Sequence, residues 1–160
     1  MCESAAGAKK DSESDQNTTS CNGHTPSVRI FSKCTSGRRP HIFTVLCTSG
    51  FDRVPNVHSA LMLASLAASA DYRAILFCQQ GTVDVMVKGA IEKNEKPEPG
   101  APTLSEKLAE AMELGVEVQC CAQTMMSKGI TDADLVPGVT VAGAMTLIDL
   151  AVMGQGTLCF

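Results

Sequence analysis

Two adjacent cysteines, Cys120 and Cys121, end an apolar segment in the stretch EVQCCAQTMMSKGI, residues 117–130. Cysteines fill a core, bind a metal or act as nucleophiles. Neighbouring side chains of a strand point to opposite faces, so at most one of the two thiols faces a site. Cys121 lies where the predicted strand becomes a helical turn, and a helix start stabilises a thiolate. The residues alone leave Cys121 open as a reactive thiol or a packed one, with Cys120 as an auxiliary group and Lys128 as support for the thiolate.

Two more cysteines end earlier predicted strands, Cys47 in HIFTVLC and Cys78 in YRAILFC. The carboxyl ends of parallel strands share one edge of a sheet, where open α/β folds bind ligands. Core packing is the favoured reading for both, because Cys is among the most buried residue types. A weaker alternative joins Cys47, Cys78 and Cys121 as a metal-binding or redox-sensing triad, although the spacing of a zinc site is missing.

Other chemistries have little support in the sequence. It has no Cys-x-x-Cys pair, and Met126 and Ser127 stand where a rhodanese or tyrosine-phosphatase loop needs Arg. Neither a phosphate-binding loop nor a dinucleotide fingerprint is present. We therefore expect no organic cofactor and no metal. Residues Ala122, Met125, Met126 and Gly129 have helical spacing and predict a face packed on the core.

Composition limits the class of protein. The 160 residues predict one domain, and 44% hydrophobic with 19% charged residues is ordinary for a soluble globular protein. The net charge of −4 argues against nucleic acid as a partner. Residues 1–39 are polar and predicted to be a disordered tail. Without a secretory signal, and with apolar stretches too short to span a bilayer, the sequence favours a cytoplasmic protein away from membranes.

Residues 40–160 alternate apolar strands with helical patterns. Asn56 is a predicted cap of the first helix, and Thr103 with Glu106 forms a predicted capping box for a later one. The stretches ALMLASLAASA and GAMTLIDLAVMG are predicted to be buried helices. This order favours an α/β fold with a mainly parallel five-stranded sheet covered on both faces.

Four stretches in this order give the chain a resemblance to a known family. They are HIFTVLCTSGFDRVPNVHSALMLASLAAS, AILFCQQGTVDVMVKGA, VEVQCCAQTMMSKGI and GVTVAGAMTLIDLAVMGQGTLCF. The third places Cys121 before Gly129 at the spacing of that family. Together they resemble the DsrE/DsrF-like family, which includes the TusD-like sulfur-relay proteins, over residues 40–160.

The resemblance implies a three-layer αβα sandwich and a homo-oligomer, a trimer or a hexamer. It also implies that Cys121 carries sulfane sulfur as a persulfide between donor and acceptor proteins. Ser127 and Lys128 stand before Gly129, where the family often has Arg. A sulfur carrier or sulfurtransferase is the leading hypothesis. The alternatives are a non-catalytic oligomeric binding module of the same fold and a cysteine-based metal or redox sensor.

Overall fold

A computed structural model describes residues 41–96 and 100–160 of the chain. The predicted disordered tail, residues 1–39, lies outside the described residues. Five strands and six helices alternate along the described part, with single 3-10 turns at Phe51–Arg53 and Asp132–Asp134. The strands are β1 (Ile42–Cys47), β2 (Arg73–Cys78), β3 (Glu117–Cys121), β4 (Thr140–Ala142) and β5 (Gly156–Cys159). The helices are α1 (Val54–Ser69), α2 (Gly81–Val85), α3 (Ala90–Asn94), α4 (Leu104–Glu113), α5 (Ala122–Lys128) and α6 (Ala144–Met153).

The five strands form one sheet in the order β4-β3-β2-β1-β5, and every neighbouring pair is parallel. Helices flank the sheet, so the predicted three-layer αβα class is confirmed. Because all strands run the same way, their carboxyl ends share one edge. The loops that follow β1, β2 and β3 therefore meet at that edge.

The main core lies between one face of the sheet and helices α1 and α4. Val45, Leu76 and Val118 occupy one row across β1, β2 and β3, and each is buried. Leu61 from α1 and Leu104 from α4 belong to the same hydrophobic cluster. Burial of such side chains contributes roughly 1.5–3 kcal/mol each and fixes the strands that hold the candidate site.

Helix α4 begins and ends as its sequence predicts. The Thr103 hydroxyl accepts the N–H of Glu106 at 3.2 Å, and the Glu106 carboxylate accepts the N–H of Thr103 at 2.9 Å. At the other end Gly115 adopts φ 92°, and the N–H of Val116 donates to the carbonyl of Ala111 at 3.0 Å. This left-handed glycine ends the helix and turns the chain into β3.

The predicted cap at Asn56 is wrong. Helix α1 begins at Val54, and Pro55 lies in its first turn, where a missing N–H costs nothing. Asn56 is already helical, and its carboxamide donates to the Ser49 hydroxyl at 3.1 Å. Asn56 therefore ties the helix to the loop after β1.

Helix α6 is less buried than its sequence predicts. Only Leu150 is buried, and four large apolar side chains are exposed, namely Met145, Ile148, Val152 and Met153. No helix among the described residues is long and apolar enough to cross a membrane.

Candidate functional site

The carboxyl edge of the sheet gathers the described cysteines, as the sequence predicts. Cys47 is the register partner of Cys78, and Cys78 is the partner of Cys120. Cys159 ends β5 beside Leu46 and is exposed. The edge therefore combines buried and exposed thiols from four strands.

Three of these thiols form a row on the face that packs against α1. Cys47, Cys78 and Cys120 are fully buried members of the main core. Burial raises the pKa of the Cys47 thiol. A hydrogen bond with the Cys120 thiol, followed by burial, raises the pKa of Cys78 well above its usual range. Neutral, enclosed thiols of this kind are poor nucleophiles, so this row fits a packing role.

Cys121 has a different environment. Strand alternation directs it to the face opposite Cys120, and it stands at the cap position immediately before α5. Burial alone would raise the pKa of the Cys121 thiol, but four donors together lower it below its usual range. They are the backbone N–H groups of Gln123 and Thr124, the Thr124 hydroxyl and the Gln79 carboxamide.

These donors act on charge. Hydrogen bonds from these donors favour the ionised sulfur over the neutral thiol, which lowers the pKa. The pKa of Cys121 therefore shifts in the direction opposite to those of Cys47 and Cys78. The side chain is 0% exposed in the single chain. The site therefore holds a shielded, acidic thiol.

Gln79 is a part of the site that the sequence reasoning missed. It follows Cys78 directly, and the pairing of Cys78 with Cys120 places Gln79 beside Cys121 on the same face. Only the register between β2 and β3 shows this proximity. A polar residue next to a strand end was the one available signal, and it is common in loops.

The other predicted site residues lie near Cys121 in sequence but have other contacts. The Lys128 ammonium donates to the Asp84 carboxylate, which ties α5 to α2. Cys120 contributes its side chain to the core on the other face. Support of the thiolate by Lys128 and an auxiliary role for Cys120 stay predictions.

The three cysteines of the weaker metal alternative, Cys47, Cys78 and Cys121, do not lie on one face of the sheet. Cys78 shares a face with Cys120, so Cys121 points away from it. Within residues 41–96 and 100–160, no group of three His, Cys, Asp or Glu side chains has the arrangement of a metal site.

The predicted methionine face is only half right. Met125 is buried against the core, whereas Met126 is 82% exposed. Helix α5 has seven residues, and Met125 is the one that is buried. Met126 therefore presents a soft apolar side chain to solvent one turn beyond Cys121.

A separate pocket of about 630 Å³ lies at the start of α1. His58 and Glu95 line it, with 3.6 Å between Nε2 and Oε1. Both Glu95 carboxylate oxygens accept the N–H of Leu104 at 3.0 Å. This carboxylate therefore holds the start of α4, and no cysteine lines the pocket.

One relative is similar to part of this chain in sequence. The chain is 21% identical over 105 residues to an uncharacterized protein of Methanocaldococcus jannaschii, covering 66% of this chain. It spans only 38% of the length of that relative.

Solved structures share the architecture. The ychN protein of E. coli aligns with a TM-score of 0.59 at 16% identity, over 75% of this chain and 99% of that one. A protein of unknown function from Methanobacterium thermoautotrophicum aligns with a TM-score of 0.56 at 18% identity, over 76% and 100%. At such identities the likeness shows the fold alone.

The family model for the DsrE/DsrF-like family matches residues 41–160, which include every described strand and helix. The order of strands, the all-parallel sheet and this match agree with the resemblance seen in the sequence. The chain belongs to the DsrE/DsrF-like family.

Proposed function

We propose that this protein is a sulfur carrier that holds sulfane sulfur as a persulfide on Cys121. The observation that carries the proposal is the position of Cys121, which ends β3 at the carboxyl edge directly before α5 and lies on the face opposite the core thiols. Neighbouring N–H and O–H donors there lower the pKa of its thiol. Membership in the DsrE/DsrF-like family supports a role related to sulfur relay in general.

The chemistry is thiol exchange. The Cys121 thiolate attacks the outer sulfur of a donor persulfide, the donor S–S bond breaks, and the donor sulfur leaves as a thiolate. Cys121 then holds one added sulfur atom. An acceptor thiolate attacks that outer sulfur and regenerates the Cys121 thiolate. Neither step changes the total number of S–S bonds, so no oxidant or reductant is consumed.

The donor set around Cys121 suits this exchange. Neutral N–H and O–H groups stabilise one diffuse negative charge on sulfur without the strong fixed pairing that a cation would impose. A thiol whose pKa lies near ambient pH is the best exchanger, because it is ionised and still nucleophilic. Donor and acceptor proteins are the expected partners.

Replacing Cys121 with Ser tests the proposal. We expect Cys121→Ser to lose the sulfur loaded from a low-molecular-weight persulfide onto the peptide that contains residue 121, with an unchanged circular dichroism spectrum. Cys159→Ser is the matched control, because Cys159 is exposed on β5 and outside the donor set. Undiminished loading of folded Cys121→Ser would overturn the assignment.

A second candidate, the oligomeric binding module, is favoured by helix α6. Its exposed residues Met145, Ile148 and Val152 recur at helical spacing on one face, and Val152 is 79% exposed. Apolar faces of this kind in soluble proteins mark interfaces. The adjoining β5 pairs with β1 and is an edge strand among the described residues, and its exposed Leu158 extends the apolar surface. We propose that a second copy of this chain covers it in a homo-oligomer.

A charge on this face tests the oligomer. Val152→Asp is expected to lower the mass measured by sedimentation, because an unpaired carboxylate would be buried in the interface. Leu66→Asp is the matched control, since Leu66 is 58% exposed on α1. A monomeric unmodified protein at micromolar concentration, or equal masses for both variants, would contradict the interface.

A further inference from the structure

The turn between β2 and α2 contains two glutamines, Gln79 and Gln80. Backbone hydrogen bonds to the end of β1 and the loop after it hold this turn at both ends. The N–H of Gln79 donates to the Cys47 carbonyl at 2.9 Å. Beyond the pair, the N–H of Gly81 donates to the Thr48 carbonyl at 3.0 Å. The chain between these bonds has little freedom, so its conformation is imposed by its neighbours.

Gly81 adds a close backbone contact to this restraint. A Cβ placed on Gly81 would lie 2.9 Å from the backbone nitrogen of Gly50. The Thr82 hydroxyl also donates to the Ser49 carbonyl at 2.5 Å. The turn is therefore held against the loop after β1.

Gln80 adopts φ 51° and ψ −117°, a conformation that favours glycine. Its side chain is exposed and gives no reason for the strain. What the conformation does is direct the backbone N–H of Gln80 at the Thr124 hydroxyl oxygen, 3.4 Å away. A hydroxyl that accepts from Gln80 keeps its own proton for another acceptor, and Cys121 is the neighbouring one. Strained backbone at such a place is typical of functional sites.

Gln79 follows β2, so it reaches the Cys121 sulfur from the strand beside β3, whereas the other donors belong to α5. Its carboxamide has two N–H donors, and the outer sulfur of a persulfide lies about 2 Å beyond Sγ. A carboxamide with two donors can bind Sγ through one and the outer sulfur through the other. The two backbone N–H donors of α5 are fixed in the helix, whereas the flexible Gln79 side chain can follow the added atom.

We propose that Gln79 binds the transferred sulfur on Cys121 directly, and that Gln80 is a positioning residue that orients the Thr124 hydroxyl. This inference rests on the proposed persulfide carrier. It makes the turn after β2 the second half of the sulfur site, opposite the start of α5.

The test measures alkylation of Cys121 by iodoacetamide against pH, in the unloaded and persulfide-loaded forms, with the adducts separated by mass. Gln79→Met keeps the length of the side chain and removes its donors. We expect the pH at the midpoint of its alkylation curve, the inflection, to rise by about one unit in both forms, because the ionised sulfur loses the Gln79 donors. Gln155→Met is the control, because Gln155 is exposed and precedes β5.

Two substitutions test Gln80. Gln80→Gly keeps the N–H and tolerates the positive φ, so it should retain the unmodified profile. Gln80→Val disfavours that φ and should raise the inflection, as should Thr124→Val, whereas Thr124→Ser should restore it.

The outcomes separate this inference from the function on which it rests. A protein that loads sulfur, with coincident profiles for Gln79→Met and the unmodified chain, overturns the role of Gln79 and leaves the carrier function standing. Equal profiles for Gln80→Gly and a folded Gln80→Val overturn the role of Gln80. Failure of the unmodified protein to load overturns the carrier function and the binding of transferred sulfur together.

Discussion

At the scale of single residues, the surroundings of each thiol decide its chemistry. Cys120 and Cys121 are neighbours in sequence, yet one packs in the core and the other meets four donors. The difference arises because successive side chains of β3 point to opposite faces of the sheet.

The lowered pKa of Cys121 predicts a pH dependence for its reactivity. The thiolate should persist below the value of an unfolded thiol, about 8.5, and alkylation should slow as pH falls through the folded pKa. Mass-resolved alkylation of the folded protein, compared with the same peptide in denaturant, measures the difference. An inflection in the folded protein at or above that of the denatured chain would show that the donors do not stabilise the charge.

The buried thiols predict a loss of stability at alkaline pH. The raised pKa values of Cys47 and Cys78 give stability that is fully present below the unfolded value near 8.5 and is lost as pH rises through the folded values. In that window the unfolded chain releases protons that the folded chain keeps. Cys121 has the opposite sign, because its contribution is lost as pH falls through its lowered pKa.

Urea unfolding across this alkaline window measures the effect. Cys78→Ala should show a shallower fall in the free energy of unfolding than the unmodified chain, whatever its stability at neutral pH. An equal fall in both proteins would mean that Cys78 does not contribute to the alkaline loss.

The sequence could place Cys121 at a strand-to-helix junction, but it could not show which side chains surround it. A thiol at a strand-to-helix junction is visible from local pattern alone. Gln80 and Thr124 are 44 positions apart, and only strand register brings them together. Met126 shows the same limit, because helical spacing does not tell which face a short helix turns to the sheet.

At the scale of elements, two glycines hold the loops at the carboxyl edge together. A Cβ on Gly50 would lie 2.6 Å from the Gly81 carbonyl oxygen, closer than packed atoms approach. We expect Gly50→Ala to destabilise the fold by about 1–3 kcal/mol and to raise the inflection for Cys121 alkylation, because the turn after β2 must shift.

Gly143→Ala is the control for this prediction. Gly143 has an ordinary φ of −85° and nothing within 4 Å of its added Cβ, so the change should cost no more than about 1 kcal/mol. Chemical denaturation and the alkylation profile measure both variants. A Gly50→Ala protein as stable as Gly143→Ala would contradict the close approach of the loops.

Element boundaries were predictable where local signals agreed. The capping box at Thr103 and Glu106 and the left-handed Gly115 bound α4 as expected. Asn56 misled because Pro55 is also a strong start signal, and the helix begins before both. When two start signals fall within one turn, tertiary contacts decide at which residue the helix begins. Here the relevant contact is the hydrogen bond from Asn56 to Ser49.

At the scale of the whole molecule, alternation of strands and helices was enough to predict the parallel sheet. The strand order β4-β3-β2-β1-β5 was not, because it depends on which edge each crossover reaches. In that order β5, which follows α6, is an edge strand of the sheet among the described residues. The apolar sequence of α6 predicts burial, and the single chain leaves Ile148 and Val152 exposed. Both observations agree if a second copy covers the helix.

Persulfide formation on Cys121 is the central claim, and mass spectrometry after incubation with a persulfide donor tests it most directly. The account predicts a gain of one sulfur atom on the peptide containing Cys121, reversed by reductant and retained in Cys120→Ala. The last variant is needed because Cys120 shares that peptide. No gain on this peptide, with Cys121 also inert to alkylation in the folded protein, would contradict the carrier function and favour the binding module.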